Sequence, residues 1–120
     1  AALFKTVSWQ RLDWFELPKG LHELECAADV VLCADVIYQT SAVPALAAAV
    51  GAVLRPGGTL AFASRLGRIG LTECLDAIQA PQSHSAGMAL IERQPLQSSV
   101  MELGLGDGQE HCLWLFRKLE

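Results

Sequence analysis

No stretch of this 120-residue chain approaches the ~20 uninterrupted apolar residues that a membrane helix needs, because Asp, Arg, Gly and Pro break every run. A soluble protein without a membrane partner is expected. Basic residues are few: nine Lys and Arg stand against thirteen Asp and Glu, a net charge of -4. That sign argues against a duplex nucleic-acid binder, whose affinity comes from cationic contacts to phosphate. No basic-then-apolar leader opens the sequence. Ala1 and its neighbours read like mid-domain sequence, so either a larger gene product contains them or the gene is itself a fragment.

Paired cysteines are also lacking. Cys26, Cys33, Cys74 and Cys112 are widely spaced with no C-x-x-C, which argues against a zinc site or redox motif. Buried free thiols in a reducing compartment are the expected state. His22, His84 and His111 lie far apart, without the spacing of metal ligands or of a base beside a nucleophile, so neither role is expected. No G-x-G-x-x-G follows a strand, which leaves a dinucleotide-dependent dehydrogenase unsupported. The GLGDG near residue 104 lies between two strand-like runs and reads as a hairpin turn rather than a phosphate loop.

What is present is a core. Hydrophobic residues make up 52% of the chain, enough for one small folded unit. Residues 5–12, KTVSWQRL, read as a short strand leading into Asp13-Trp14, and residues 21–26 as a brief helical turn. The run DVVLCAD follows; its apolar centre, residues 30–34, suits a central strand buried on both faces of a parallel sheet. Ser41 is a candidate cap and Pro44 fits a first turn, so residues 45–54 form a helix. RPGG ends it, and TLAFAS begins another buried strand. Strand, helix, turn and strand make a βαβ unit, which fixes the class as α/β. Leu71, Cys74, Leu75 and Ile78 have the spacing of an amphipathic helix. Residues 98–105 and 110–117 flank GDGQ and predict a terminal antiparallel hairpin.

Asp13 and Asp35 each follow a predicted strand, the position where open α/β sheets hold ligands. Asp13 can accept a hydrogen bond from an exocyclic ring amine while Trp14 stacks, or it can cap the next turn beside a core tryptophan. Asp35 and Tyr38 are one turn apart and can hold an amine by charge and ring face, or serve as cap and packing residue. Arg65 and Arg68 reach the same sheet edge, where they pair with Asp35, hold a carboxylate, or stay solvated.

In chain order, RLDW, DVVLCADVIYQ, a helix, LRPGGTLAFASR and a terminal hairpin resemble the seven-β-strand, class I methyltransferases. Within that class they look most like the methyltransferase-like protein-lysine methyltransferases, marked by an acidic-x-x-Tyr motif after the fourth strand and often Asp-Trp after the third. The resemblance covers nearly the whole chain. It implies that residues 1–120 are the C-terminal part of a Rossmann-like seven-stranded sheet, third strand to seventh, mostly parallel with a terminal antiparallel hairpin. It further implies S-adenosylmethionine as cofactor, no metal, a protein lysine as acceptor and a cytoplasmic setting. Asp13 and Trp14 would then contact the adenine. Ala34 and Asp35 would border the sulfonium, Asp35 and Tyr38 would face the substrate amine, and Arg65 also fits the lysine-modifying group. The family's first strand, glycine-rich loop and second-strand acid would all precede Ala1. The alternative reading is therefore a catalytically inactive remnant that binds a protein partner.

Overall fold

The computed structural model of the chain describes residues 6–8, 12–16, 24–82, 85–96 and 110–120. Strand β1, Ala28–Ala34, runs parallel to β2, Leu54–Arg65, and helix α1, Val43–Val53, crosses between them. The expected βαβ unit is thus present. Helix α2, Leu71–Gln79, follows β2. The sheet is completed by β3, Met88–Pro95, and β4, His111–Lys118, in the order β1-β2-β4-β3. The pairs β2·β4 and β3·β4 are antiparallel. The α/β class and the terminal antiparallel pair both stand.

Alternation along β2 decides which face is covered. Leu60, Phe62 and Ser64 are buried while Ala61, Ala63 and Arg65 are only half-buried, as the two-residue period of a strand requires. Register places Cys33 beside Phe62 on β1, with Trp114 and Phe116 opposite Phe62 and Leu60 on β4. These side chains form one core with Leu46 and Val50 of α1 and with Leu71, Cys74 and Ile78 of α2. Both helices therefore lie on one face of the sheet.

The other face is open. Val30 is 56% and Leu32 78% exposed and β1 stands at the edge of the described sheet, so it is buried on one side and is not the doubly covered central strand its apolar run suggests. Five consecutive apolar residues are compatible with either position, and the neighbouring strand decides. Other expectations are corrected in detail. Ser41 sits inside a 3-10 turn, Thr40–Ala42, and makes no cap; Ala42 holds the N-cap position of α1. The amides of that first turn bond instead to Gln39 and Thr40 carbonyls, the 3-10 solution to orphan donors. RPGG lies within β2 as a bulge against β1. A Cβ on Gly58 would stand 2.7 Å from Leu54 Cδ1 and 3.0 Å from the Asp29 carbonyl oxygen.

The partner strand of the terminal hairpin is β3, whereas residues 98–105 and the GDGQ turn lie outside the described residues. In β3 all but Met88 are exposed, so its sequence carries no alternation to read. Thr6–Ser8 form no strand and Val7 is 86% exposed; the remaining residues of the expected first strand, 5 and 9–11, lie outside the described set, apart from Leu12, which is not in a strand either. Among the described residues no helix is long and apolar enough to cross a membrane. Cys33, Cys74 and Cys112 are buried free thiols as expected, but Cys26 is exposed.

Candidate active site at the carboxyl end of the parallel strands

Strand β1 stops at Ala34 because Asp35 turns the chain with φ of 51°, a left-handed conformation that Asp and Asn enter more readily than other side-chain-bearing residues. The Asp35 amide still donates to the Ala63 carbonyl at 3.0 Å, so the ladder to β2 is kept while the side chain leaves the strand. Its Oδ1 lies 3.5 Å from Nη2 of Arg68. Both Asp35 Oδ1 and Arg68 Nε are shielded from solvent without a hydrogen-bond partner. Such groups cost free energy; a ligand that donates would satisfy the carboxylate oxygen, whereas Arg68 Nε, itself a donor, needs an acceptor.

The arginine arrives on a loop made of two successive turns. The Arg68 amide donates to the Arg65 carbonyl and the Leu71 amide to the Arg68 carbonyl, each at 3.2 Å. Gly70 has φ of 91°, and a Cβ there would lie 3.0 Å from Thr40 Cγ2 and 3.4 Å from Ile37 Cγ2. Glycine thus allows this loop to press on the segment after β1. Between them opens a cleft of about 410 Å³, with Ile37, Tyr38 and Thr40 on one side and Arg65, Arg68 and Ile69 on the other. Tyr38 is 82% exposed, whereas Ile37 is buried and anchors the wall to the core.

The cleft therefore brings together Tyr38 and Arg65, with Asp35 joined to its wall through Arg68. Asp13 and Trp14 are not among its lining residues. One oxygen of Asp13 accepts the Phe15 amide at 2.9 Å, capping the 3-10 turn Trp14–Glu16. Trp14 is half-buried against the core and against Ala49 and Ala52 of α1. Cap and packing roles are thus realised there; the second Asp13 oxygen is not used by that cap. Ala34 is exposed at the end of β1. Ile37, Thr40 and Ile69 were not singled out by sequence. Ile37 was legible within ADVIY, but Thr40 and Ile69 have no motif and enter only through the close packing at Gly70.

Around the site, the chemistry is left to oxygen and guanidinium groups. Burial pushes the Cys33 thiol, just before Asp35, up to about 11, so it remains protonated at neutral pH and is a poor nucleophile. No cluster of His, Cys, Asp or Glu among the described residues has metal-site geometry.

A family model described as lysine methyltransferase matches residues 1–80 of the chain. No curated protein sequence is matched directly. Two solved structures share the fold at low identity. The antibiotic-resistance methyltransferase Kmr matches with a TM-score of 0.55 and 17% identity, over 81% of this chain and 55% of that one. The complex of M1.HpyAVI with SAM matches with a TM-score of 0.55 and 12% identity, over 89% and 53%. The chain spans about half the length of these structures.

Proposed function

The chain belongs to the lysine methyltransferase family, and from that premise we propose that it carries the acceptor side of an S-adenosylmethionine-dependent protein-lysine methyltransferase. The observation that carries the proposal is Asp35. It is held by a left-handed turn at the end of a parallel strand, and its Oδ1, in an ion pair with the cleft-lining Arg68 at 3.5 Å, has no hydrogen-bond partner. An amine donates what that oxygen lacks.

The residues present fit the acceptor end of a methyl donor. S-adenosylmethionine, when bound, supplies an electrophilic methyl group for in-line transfer. Asp35 accepts a hydrogen bond from the substrate amine and fixes its lone pair. Tyr38 lays its ring along the methylene stem of the lysine, where a cation or its alkyl chain packs well. Arg68 holds the Asp35 carboxylate through its ion pair at Oδ1, and Ala34 leaves room beside it. Water in the open cleft takes the amine's proton while Asp35 keeps its hydrogen bond to the nitrogen. Arg65 orients the backbone or an acidic residue of the substrate. Asp13 offers its second oxygen, and Trp14 its outer edge, to the adenine. Free thiols agree with a reducing, cytoplasmic setting.

The reading is tested by transfer of labelled methyl to protein in the presence of S-adenosylmethionine. Asp35→Ala is expected to lower transfer at least tenfold, and unchanged transfer would overturn the assignment. The open sheet face favours one rival, an inactive module that binds a protein partner. Calorimetric titration with S-adenosylmethionine separates the two: binding by these 120 residues counts against the inactive module.

A further inference from the structure

The amine of Lys118 has no part in the proposed transfer. It sits at the opposite end of the sheet from the cleft, on the last residue of β4. Lys118 is 3% exposed, and its Nζ donates to the Leu54 carbonyl at 2.7 Å and lies 3.8 Å from the Cys26 sulfur. A buried lysine bonded to a carbonyl and touching a thiol is an unusual way to spend an ammonium.

Cys26 is placed firmly for that contact. Its backbone has φ of 54° and its amide donates to the Ala52 carbonyl at 2.9 Å. It is also the exposed one among the four free cysteines, so an oxidant from solvent reaches its sulfur first. Burial holds the thiols of Cys33 and Cys74 up at about 11 and about 12, which keeps them unreactive.

We propose that Cys26 and Lys118 form a reversible sulfur–nitrogen crosslink when the protein meets a peroxide. In the first step the Cys26 sulfur attacks the peroxide; the O–O bond breaks, sulfur is oxidised by two electrons to sulfenic acid, and water is released. In the second, the Lys118 ammonium gives up one proton to solvent and the freed nitrogen lone pair attacks that sulfur. The S–N bond forms, the S–O bond breaks, and the departing hydroxide takes a proton from nitrogen to leave as water. One N–H remains to donate to the Leu54 carbonyl. A dithiol attacking sulfur breaks the S–N bond and frees the lysine amine, leaving a mixed disulfide that its second thiol resolves to the free Cys26 thiol. The link joins residues 92 positions apart and clamps the turn before β1 to the end of β4.

The test treats the 120-residue chain with a few equivalents of hydrogen peroxide and maps peptides by mass spectrometry without reduction. The expected product joins the peptides of Cys26 and Lys118, lighter than their sum by two hydrogen atoms, and is lost on adding dithiothreitol. The thermal midpoint rises with the link and falls back with its reduction. Lys118→Arg is expected to give no link and to accumulate a sulfenic acid trapped by a cyclic 1,3-dione. Should that variant not fold, wild-type mapping with and without the dione decides alone. Cys26 ending as sulfinic acid, as an intermolecular disulfide, or linked to a different lysine would overturn the proposal.

Discussion

Asp35 combines two demands, a backbone conformation and a carboxylate, and substitution separates them. Asn tolerates the left-handed region and keeps the shape of the side chain but loses the charge facing Arg68. Because the Asp35 side chain is half exposed, that ion pair is worth less than about 1 kcal/mol, so Asp35→Asn should leave urea unfolding almost unchanged while impairing amine recognition. Asp35→Val places a β-branched residue at positive φ and is expected to cost about 1–3 kcal/mol in the same measurement. The buried thiols make a second prediction, on pH. Desolvation raises Cys33 to about 11, and raises Cys74 to about 12 with Cys33 as a lesser cause. Below the ordinary value of 9.0 both states are protonated and the thiols contribute no pH dependence. Above it the unfolded chain loses protons that the folded chain keeps, so stability falls as pH rises, by up to about 1.4 kcal/mol per pH unit for each thiol. The fall levels off as the folded thiols titrate. Cys33→Ala should flatten this alkaline loss relative to wild type in denaturant titrations at neutral pH and within that window.

Single glycines decide how the elements join. Gly87, with φ of 103°, lies so close to α2 that an added Cβ would collide with the Gln79 carbonyl oxygen. Its amide also donates to the Ser85 hydroxyl oxygen at 3.0 Å. Gly87→Ala is expected to destabilise by about 2 kcal/mol or more. Gly67→Ala, in a loop with nothing within 4 Å, should stay within about 0.5 kcal/mol of wild type; equal losses for the two would refute the steric account. These joins also mark what the sequence could disclose. The βαβ unit was legible because Pro44, the alanine-rich helix and the β-branched start of β1 all favour the same local structures. The strand β3 was not, since an exposed edge strand such as MALIERQP is shaped by pairing with β4 and not by a pattern of its own. Asp35, Tyr38 and Arg65 were legible as residues at strand ends. That Tyr38 and Arg65 meet at one cleft, with Asp35 joined to it through Arg68, depended on Gly70 and on a loop conformation that periodicity does not encode.

At the scale of the whole molecule, the two helices share one face and leave the other to solvent. Val30 and Leu32 stand exposed on β1, an edge strand of the described sheet, next to half-buried Ala61 and Ala63 on β2 and Leu113 and Leu115 on β4. An apolar face next to a strand edge that no described strand pairs invites further strands. The isolated chain should therefore self-associate as its concentration rises, seen as a concentration-dependent sedimentation coefficient. Leu32→Lys puts a charge at the centre of the exposed edge while touching nothing in the core, because Leu32 points away from the helices. That variant is expected to sediment as a monomer with unfolding within about 0.5 kcal/mol of wild type. Persistent association by Leu32→Lys would instead locate the sticky surface elsewhere on the molecule.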